Sequence, residues 1–176
     1  LETAVERSRA LQDELRRLAH FDELPGLPHR RHVLARAEAE LRRSVRYGRP
    51  LSIVITDIDH FKQINDGYGH QVGDEAIRHV SALLAQSLRE EIDMCGRIGG
   101  EEFLLLLPES EVTAAALLAE RLRKLIEESP LRCGAQFTCS FGVAERDTHE
   151  TLEALIKAAD SKLYEAKNGG RNCVHF

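Results

Sequence analysis

No apolar run in the 176-residue chain approaches the roughly 20 residues that a membrane-spanning helix needs, and no signal-peptide pattern opens it. The chain therefore reads as a soluble protein, expected in the cytoplasm. It begins with Leu1 rather than methionine, which reads as a piece of something longer, so tethering to the inner face of a membrane is left to a region upstream. Cysteine is scarce: Cys95, Cys133, Cys139 and Cys173 form neither a C-x-x-C pair nor a disulfide-dense spacing, and free thiols in a reducing compartment are expected. Net positive charge is also lacking. A formal charge of -5 gives no general attraction for a nucleic-acid backbone, and the pairs Arg16-Arg17, Arg30-Arg31 and Arg42-Arg43 fall on expected helix surfaces. A nucleic-acid polymer is not the expected partner, and any phosphate binding must be local. The histidines form no ligand cluster; His29 and His32, in a turn-to-helix segment, read as surface residues. No Ser-His-Asp or Cys-His arrangement, internal repeat or low-complexity tract is visible.

What is present is the composition of an ordinary globular protein, 43% hydrophobic and 30% charged, at a length that favours one folded domain. Leu1, Ala4, Ser8, Leu11, Leu15 and Leu18 alternate spacings of three and four, a heptad seam with one serine in it. Residues 1–20 are therefore expected to be a helical connector and residues 21–176 the globular domain, entered through the proline- and glycine-rich ELPGLPHRR. Helix-period apolar residues recur at Leu34, Ala37, Leu41 and Val45, at Ile77, Val80, Leu84 and Leu88, at Ala115, Leu118, Leu122 and Leu125, and at Leu152, Ile156, Ala159 and Leu163. LSIVITD, from Leu51 to Asp57, predicts a central strand. Met94 to Leu107, broken at Gly99-Gly100, predicts a hairpin. Phe137 to Ala144 predicts a strand with one bulky face, and NCVHF an edge strand. Hairpin-linked and helix-linked strands together imply an α+β fold with a mixed, mainly antiparallel sheet flanked by helices.

Two acidic pairs carry the chemistry. Asp57-Ile58-Asp59 ends the first strand, and Glu101-Glu102 follows the Gly-Gly turn of RIGGEEFLLLLP. Either pair alone reads as readily as a strand end or a solvated hairpin. If strand and hairpin are sheet neighbours, however, Asp57 meets one of the glutamates at the rim, and only one, because side chains alternate faces. Converging carboxylates repel unless a hard cation lies between them, and such oxygen ligands suit magnesium with substrate phosphates.

FKQINDGYGHQVGD, Phe61 to Asp74, is rich in turn residues. Lys62 reads as a loop cation, Asn65-Asp66-Gly67 as turn chemistry, and Gly73-Asp74 as the N-cap of the next helix. Asn65 and Asp74 are also the pair a purine site needs. Guanine presents N1-H and its N2 amino group as adjacent donors to a carboxylate, and an amide can satisfy an acceptor. KNGGRN offers Lys167 and Arg171 beside glycines, where a basic helix terminus favoured by the macrodipole is the competing reading.

Taken together, these motifs resemble the GGDEF family of diguanylate cyclases over about residues 20 to 176. Gly99-Gly100-Glu101-Glu102-Phe103 is a permitted form of its signature. Asp57-Ile-Asp-x-Phe-Lys-x-Ile-Asn-Asp, Gly69-His70 and Gly73-Asp74 match its metal and nucleotide segment; Ala159-Asp160, Leu163-Tyr164, Ala166-Lys167 and Gly170-Arg171-Asn172 match its C-terminal segment. The resemblance implies a sheet similar to those of nucleotidyl cyclases and polymerase palms, and condensation of two GTP into cyclic di-GMP with loss of two pyrophosphates. It implies a homodimer with apposed sites, magnesium (with manganese as a substitute) held by Asp57, the Ile58 carbonyl and Glu101, and Glu102 beside Glu101 in the catalytic acidic pair. Asn65 and Asp74 would read guanine, and Phe61, Lys62, Lys167 and Arg171 would complete the substrate site. An upstream sensory or membrane domain is implied as partner. An inactive module binding GTP or cyclic di-GMP is the alternative. Two positions depart from the pattern: Pro25 and His29 stand where threonine and asparagine are usual, a matter of local packing, and Glu90 stands where members inhibited by their product carry the arginine of Arg-x-x-Asp. Asp93 keeps the aspartate place and Arg89 is one residue early, so product feedback is expected to be weak or absent, and Glu90→Arg is expected to restore it.

Overall fold

The computed structural model describes residues 27–146 and 151–176; the heptad expected over Leu1 to Leu18, and Pro25, lie outside the described residues. The order is α1 (Arg30–Tyr47), β1 (Leu51–Ile58), α2 (Phe61–Tyr68), α3 (His70–Ser87), β2 (Met94–Arg97), β3 (Glu102–Pro108), α4 (Val112–Glu127), β4 (Cys139–Glu145), α5 (Leu152–Asn168) and β5 (Val174–His175). The five strands form one sheet in the order β2-β3-β1-β4-β5. Every pairing is antiparallel except that of β4 with β5. This is the α+β fold that the sequence predicts.

β1 lies in the middle because all eight of its residues are buried. Helices cover both sheet faces, so apolar residues occupy both faces of the strand, Leu51, Ile53 and Ile55 on one and Val54 and Ile58 on the other. Leu51, Ile53 and Ile55 join Leu104 and Leu106 under α1 and α5. Val54 and Ile58 join Phe103, Leu105 and Phe141 under α3 and α4. Phe137, Cys139, Phe141 and Val143 share that second core, as their alternation predicts, although β4 itself starts only at Cys139. α1 ends where Gly48 takes φ 62° and its N–H bonds the Ser44 carbonyl, a left-handed stop that glycine adopts at least cost. His29 forms an isolated parallel bridge with Arg97, so the entry segment is joined to the end of β2.

The stretch from Phe61 to Asp74 differs from expectation. It is two helices, α2 and α3, with only Gly69 (φ 91°) between them. Lys62, Asn65 and Asp66 are therefore helical residues, and the residue preceding α3 is Gly69, not Gly73 or Asp74. Turn propensity is overridden by packing: Ile64 is buried, and Phe61 and Val72 pack against the core under α3 and α4.

α5 crosses β4 very closely. A Cβ added to Gly142 would stand 2.2 Å from both the Ala159 carbonyl oxygen and the Leu163 nitrogen. Only glycine permits this approach, and it brings the last turn of α5 towards the end of β1.

Candidate active site

Register assembles the acidic rim. Asp57 lies opposite Glu102 on β3 and opposite Ser140 on β4. Directly opposed side chains share a face, so Asp57 and Glu102 emerge together on the side of α1 and α5. The single glutamate that alternation allows is thus Glu102. Glu101 precedes the strand, where alternation does not bind it. Its carbonyl accepts the Ile58 N–H at 3.3 Å, and its charge still acts on Asp57.

Lys167, in the last turn of α5, donates to Asp57 Oδ2 at 2.9 Å. Burial pushes the Asp57 carboxyl above its ordinary range, the Lys167 hydrogen bond and charge pull it back, and Glu101 and Asp59 raise it further. Glu102 is raised by burial and by Asp57. Asp160, on the same helix as Lys167, is raised by burial against the opposing pull of Lys167 and Arg30. The rim is therefore a partly desolvated collection of like charges with too little positive charge to balance it.

The loop carrying Glu101 is held from both sides. Arg97 Nε donates to the carbonyls of Gly99 at 3.1 Å and Gly100 at 2.8 Å. Arg30 Nη1 donates to the Ile98 carbonyl at 2.8 Å. Sequence reading had Arg30 as a helix-surface charge; its role depends on α1 abutting the hairpin, which no local pattern announces. For Arg97 a signal existed, an arginine two residues before the Gly-Gly turn.

Asn65 also lies against the helix that carries Asp74. A Cβ on Gly73 would lie 1.9 Å from Asn65 Oδ1 and 3.3 Å from the Phe61 ring, so the bare backbone of α3 makes the room that Asn65 occupies beside Asp74. Both residues are half-buried, whereas Lys62 and Arg171 are exposed. Among the described residues no hydrogen bond joins this pair to the acidic rim.

Arg89 is already engaged. It grips Asp93 through Nε at 3.1 and 3.0 Å and through Nη2 at 2.6 Å, and Nη2 also donates to the Pro108 carbonyl at 2.7 Å. The Asp93 side chain is 2% exposed. Glu90 is exposed.

The family model for the GGDEF domain of diguanylate cyclases matches residues 19–173. The response regulator PleD of Caulobacter vibrioides is 39% identical over 163 residues, covering 89% of this chain and 36% of that protein. The diguanylate cyclase DgcP of Pseudomonas aeruginosa is 40% identical over 165 residues, covering 92% of this chain and 24% of that protein. The chain thus spans about a quarter to two fifths of the length of such curated relatives. Among solved structures, the coiled coil and GGDEF domain of DgcB from Caulobacter crescentus, in complex with c-di-GMP, superposes with a TM-score of 0.92 at 30% identity, covering 99% of this chain and 94% of that one. The active GGEEF domain of a diguanylate cyclase from Vibrio cholerae gives 0.80 at 34% identity, covering 85% and 98%. The sequence motifs, the family model, the curated relatives and the solved structures agree: the chain belongs to the GGDEF family of diguanylate cyclase domains.

Proposed function

We propose that this chain condenses two GTP into cyclic di-GMP, releasing two pyrophosphates, with residues 21–176 as the catalytic unit and residues 1–20 as a helical connector. The observation that carries it is the rim of Asp57, Glu101 and Glu102, where buried and half-buried like charges are offset by Lys167 and, at Glu102, by Arg30. Those hard oxygen donors fit a divalent cation such as magnesium or manganese. Among the described residues no three acidic, His or Cys side chains already close into a cage. That openness also fits magnesium, which uses one or two carboxylates together with substrate phosphates. Asp57, the Ile58 carbonyl and Glu101 would hold it, and it would supply charge neutralisation and a more acidic attacking hydroxyl.

The remaining work belongs to the chain. Asn65 and Asp74 orient guanine, Phe61 packs beside them, Lys62, Lys167 and Arg171 receive the triphosphate, and Glu102 adds negative charge beside Glu101. Each 3'-hydroxyl attacks the α-phosphorus of the other nucleotide and pyrophosphate leaves. Two subunits must therefore face each other, and an upstream sensory or membrane domain would control how often they do. Incubating the chain with GTP and magnesium and resolving the nucleotides by chromatography tests this directly. Cyclic di-GMP should appear at a rate rising more steeply than protein concentration; GTP binding without any product would favour the inactive regulatory module instead.

Guanine selectivity supports a second test. Loss of a hydrogen bond to a charged group is worth about 1.5–3 kcal/mol, so Asp74→Ala should weaken binding of a GTP analogue by roughly 10- to 100-fold while leaving the already poor binding of an ATP analogue unchanged. Calorimetry with both nucleotides checks it.

Feedback needs a different variant from the one sequence suggests. Glu90→Arg alone leaves Asp93 sequestered by Arg89, so it should gain no site for cyclic di-GMP outside the active centre. Replacing Arg89 by serine as well frees the aspartate beside the new arginine fork. The expected result, in calorimetry with the active site filled by a GTP analogue, is product binding in the double variant and none in the parent or in Glu90→Arg.

A further inference from the structure

Asp57 and Asp59 are two residues apart, yet they face different tasks. β1 ends at Ile58. The Asp59 N–H turns to the Thr138 carbonyl at 2.9 Å, and the Asp59 side chain, in a residue only 3% exposed, leaves the acidic rim. Its Oδ1 accepts from Ser140 Oγ at 2.6 Å. Its Oδ2 accepts from Thr138 Oγ1 at 2.7 Å and from the backbone N–H of Asn172 at 3.0 Å. Three neutral donors thus take three of the roughly four lone-pair directions a carboxylate offers.

The segment receiving that last bond is strained. Gly170, Arg171 and Asn172 follow one another at φ 113°, 65° and 47°. Two consecutive non-glycine residues in the left-handed region persist only where surrounding structure imposes it. The Arg171 N–H returns to the Ala166 carbonyl at 3.0 Å. The Asn172 side chain accepts from Arg123 Nη1 at 2.8 Å and donates to Glu127 Oε1 at 2.9 Å, fastening the segment to α4. The Arg171 side chain is exposed and no partner holds it among the described residues, so what the fold fixes is the backbone position and Cα–Cβ direction from which it extends.

We propose that Asp59 is the positioning residue for Arg171: a buried carboxylate that fixes the left-handed 170–172 turn, through the Asn172 N–H, in the one conformation that presents the guanidinium to the nucleotide phosphates. This rests on the reading of Arg171 as a phosphate ligand given above. Asp59 itself touches neither substrate nor cation.

A double-mutant cycle on the full chain tests it, with binding of a non-hydrolysable GTP analogue measured by calorimetry. Asp59→Asn keeps the shape but turns an NH2 towards a donor, and is expected to weaken binding about tenfold, as Arg171→Ala does, one lost interaction of about 1.4 kcal/mol. The double variant should bind no more weakly than Arg171→Ala alone, because once the guanidinium is gone its placement no longer matters. Binding of manganese alone should be unchanged by Asp59→Asn. Should Asp59→Asn fail to fold, Thr138→Val, which removes one donor from the same carboxylate, enters the same cycle with a smaller expected loss. Additive losses, unchanged nucleotide binding beside a weakened Arg171→Ala, or loss of manganese binding would each overturn the positioning role. An unchanged affinity in Arg171→Ala would instead overturn the phosphate reading and remove the proposal with it.

Discussion

Glu101→Gln should lower the proposed cyclic di-GMP formation about a thousandfold while the fold keeps its melting temperature. The size follows from charge. Cation-assisted stabilisation of a phosphoryl-transfer transition state is worth several kcal/mol, and about 1.4 kcal/mol is a factor of ten in rate. Glutamine preserves the volume and one oxygen but removes a full negative charge from the donor set. The structural side of the prediction comes from where the residue sits. Glu101 precedes β3, and what the hairpin uses from it is its backbone, the carbonyl that accepts the Ile58 N–H, which the substitution leaves in place. Turnover and thermal unfolding measured on the same preparation check both halves. Near-normal turnover would remove Glu101 from the proposed cation site.

Gly142→Ala should lower stability by about 3 kcal/mol or more. Adding a methyl group to a well-packed interior costs roughly 1–3 kcal/mol, and here the obstacles are backbone atoms of α5, 2.2 Å away, which cannot rotate aside. For a chain of this size the melting temperature should fall by about 10 °C. The helix that must retreat carries Lys167, so the ion pair to Asp57 at 2.9 Å loosens as well. Gly67→Ala provides the contrast. It lies inside α2 with nothing within 4 Å of an added Cβ, and should raise stability by about 0.5–1 kcal/mol through helix propensity. Thermal denaturation of the two variants side by side reads the difference.

Most of the fold was legible in the sequence because apolar periodicity reports burial directly. β1, the hairpin and most of the long-helix positions declare their buried faces; Val45 and Leu125, which fit the apolar period, are exposed, and Ser44 and Ile126 are buried beside them. The α2–α3 hairpin was misread for a physical reason. Asn, Asp and Gly favour turns locally, and what makes this segment helical is the packing of Phe61, Ile64 and Val72 on a core formed by residues elsewhere in the chain. The acidic pairs were visible as residues, and their meeting depended on β1 and β3 being neighbours, which the hairpin suggested. What the residue pattern by itself could not separate was Asp57 from Asp59, although the family resemblance singled out Asp57. The division between them appears only when Thr138, Ser140 and Asn172 arrive from β4, the loop before it and the C-terminal segment. Likewise Arg30 acts through a backbone carbonyl of the hairpin, a contact that leaves no mark on spacing or composition.

The sheet order has a consequence in time as well as in space. β1 is hydrogen-bonded along nearly its whole length on both sides, to β3 and to β4, so its amides should exchange with solvent only when the whole domain opens. Asn65 and Asp74 ride instead on two helices joined at a single glycine, outside the ladder, where partial openings are less costly. The domain thus carries Asp57 on its most protected strand, while Asn65 and Asp74, the proposed base readers, lie on helices outside that ladder.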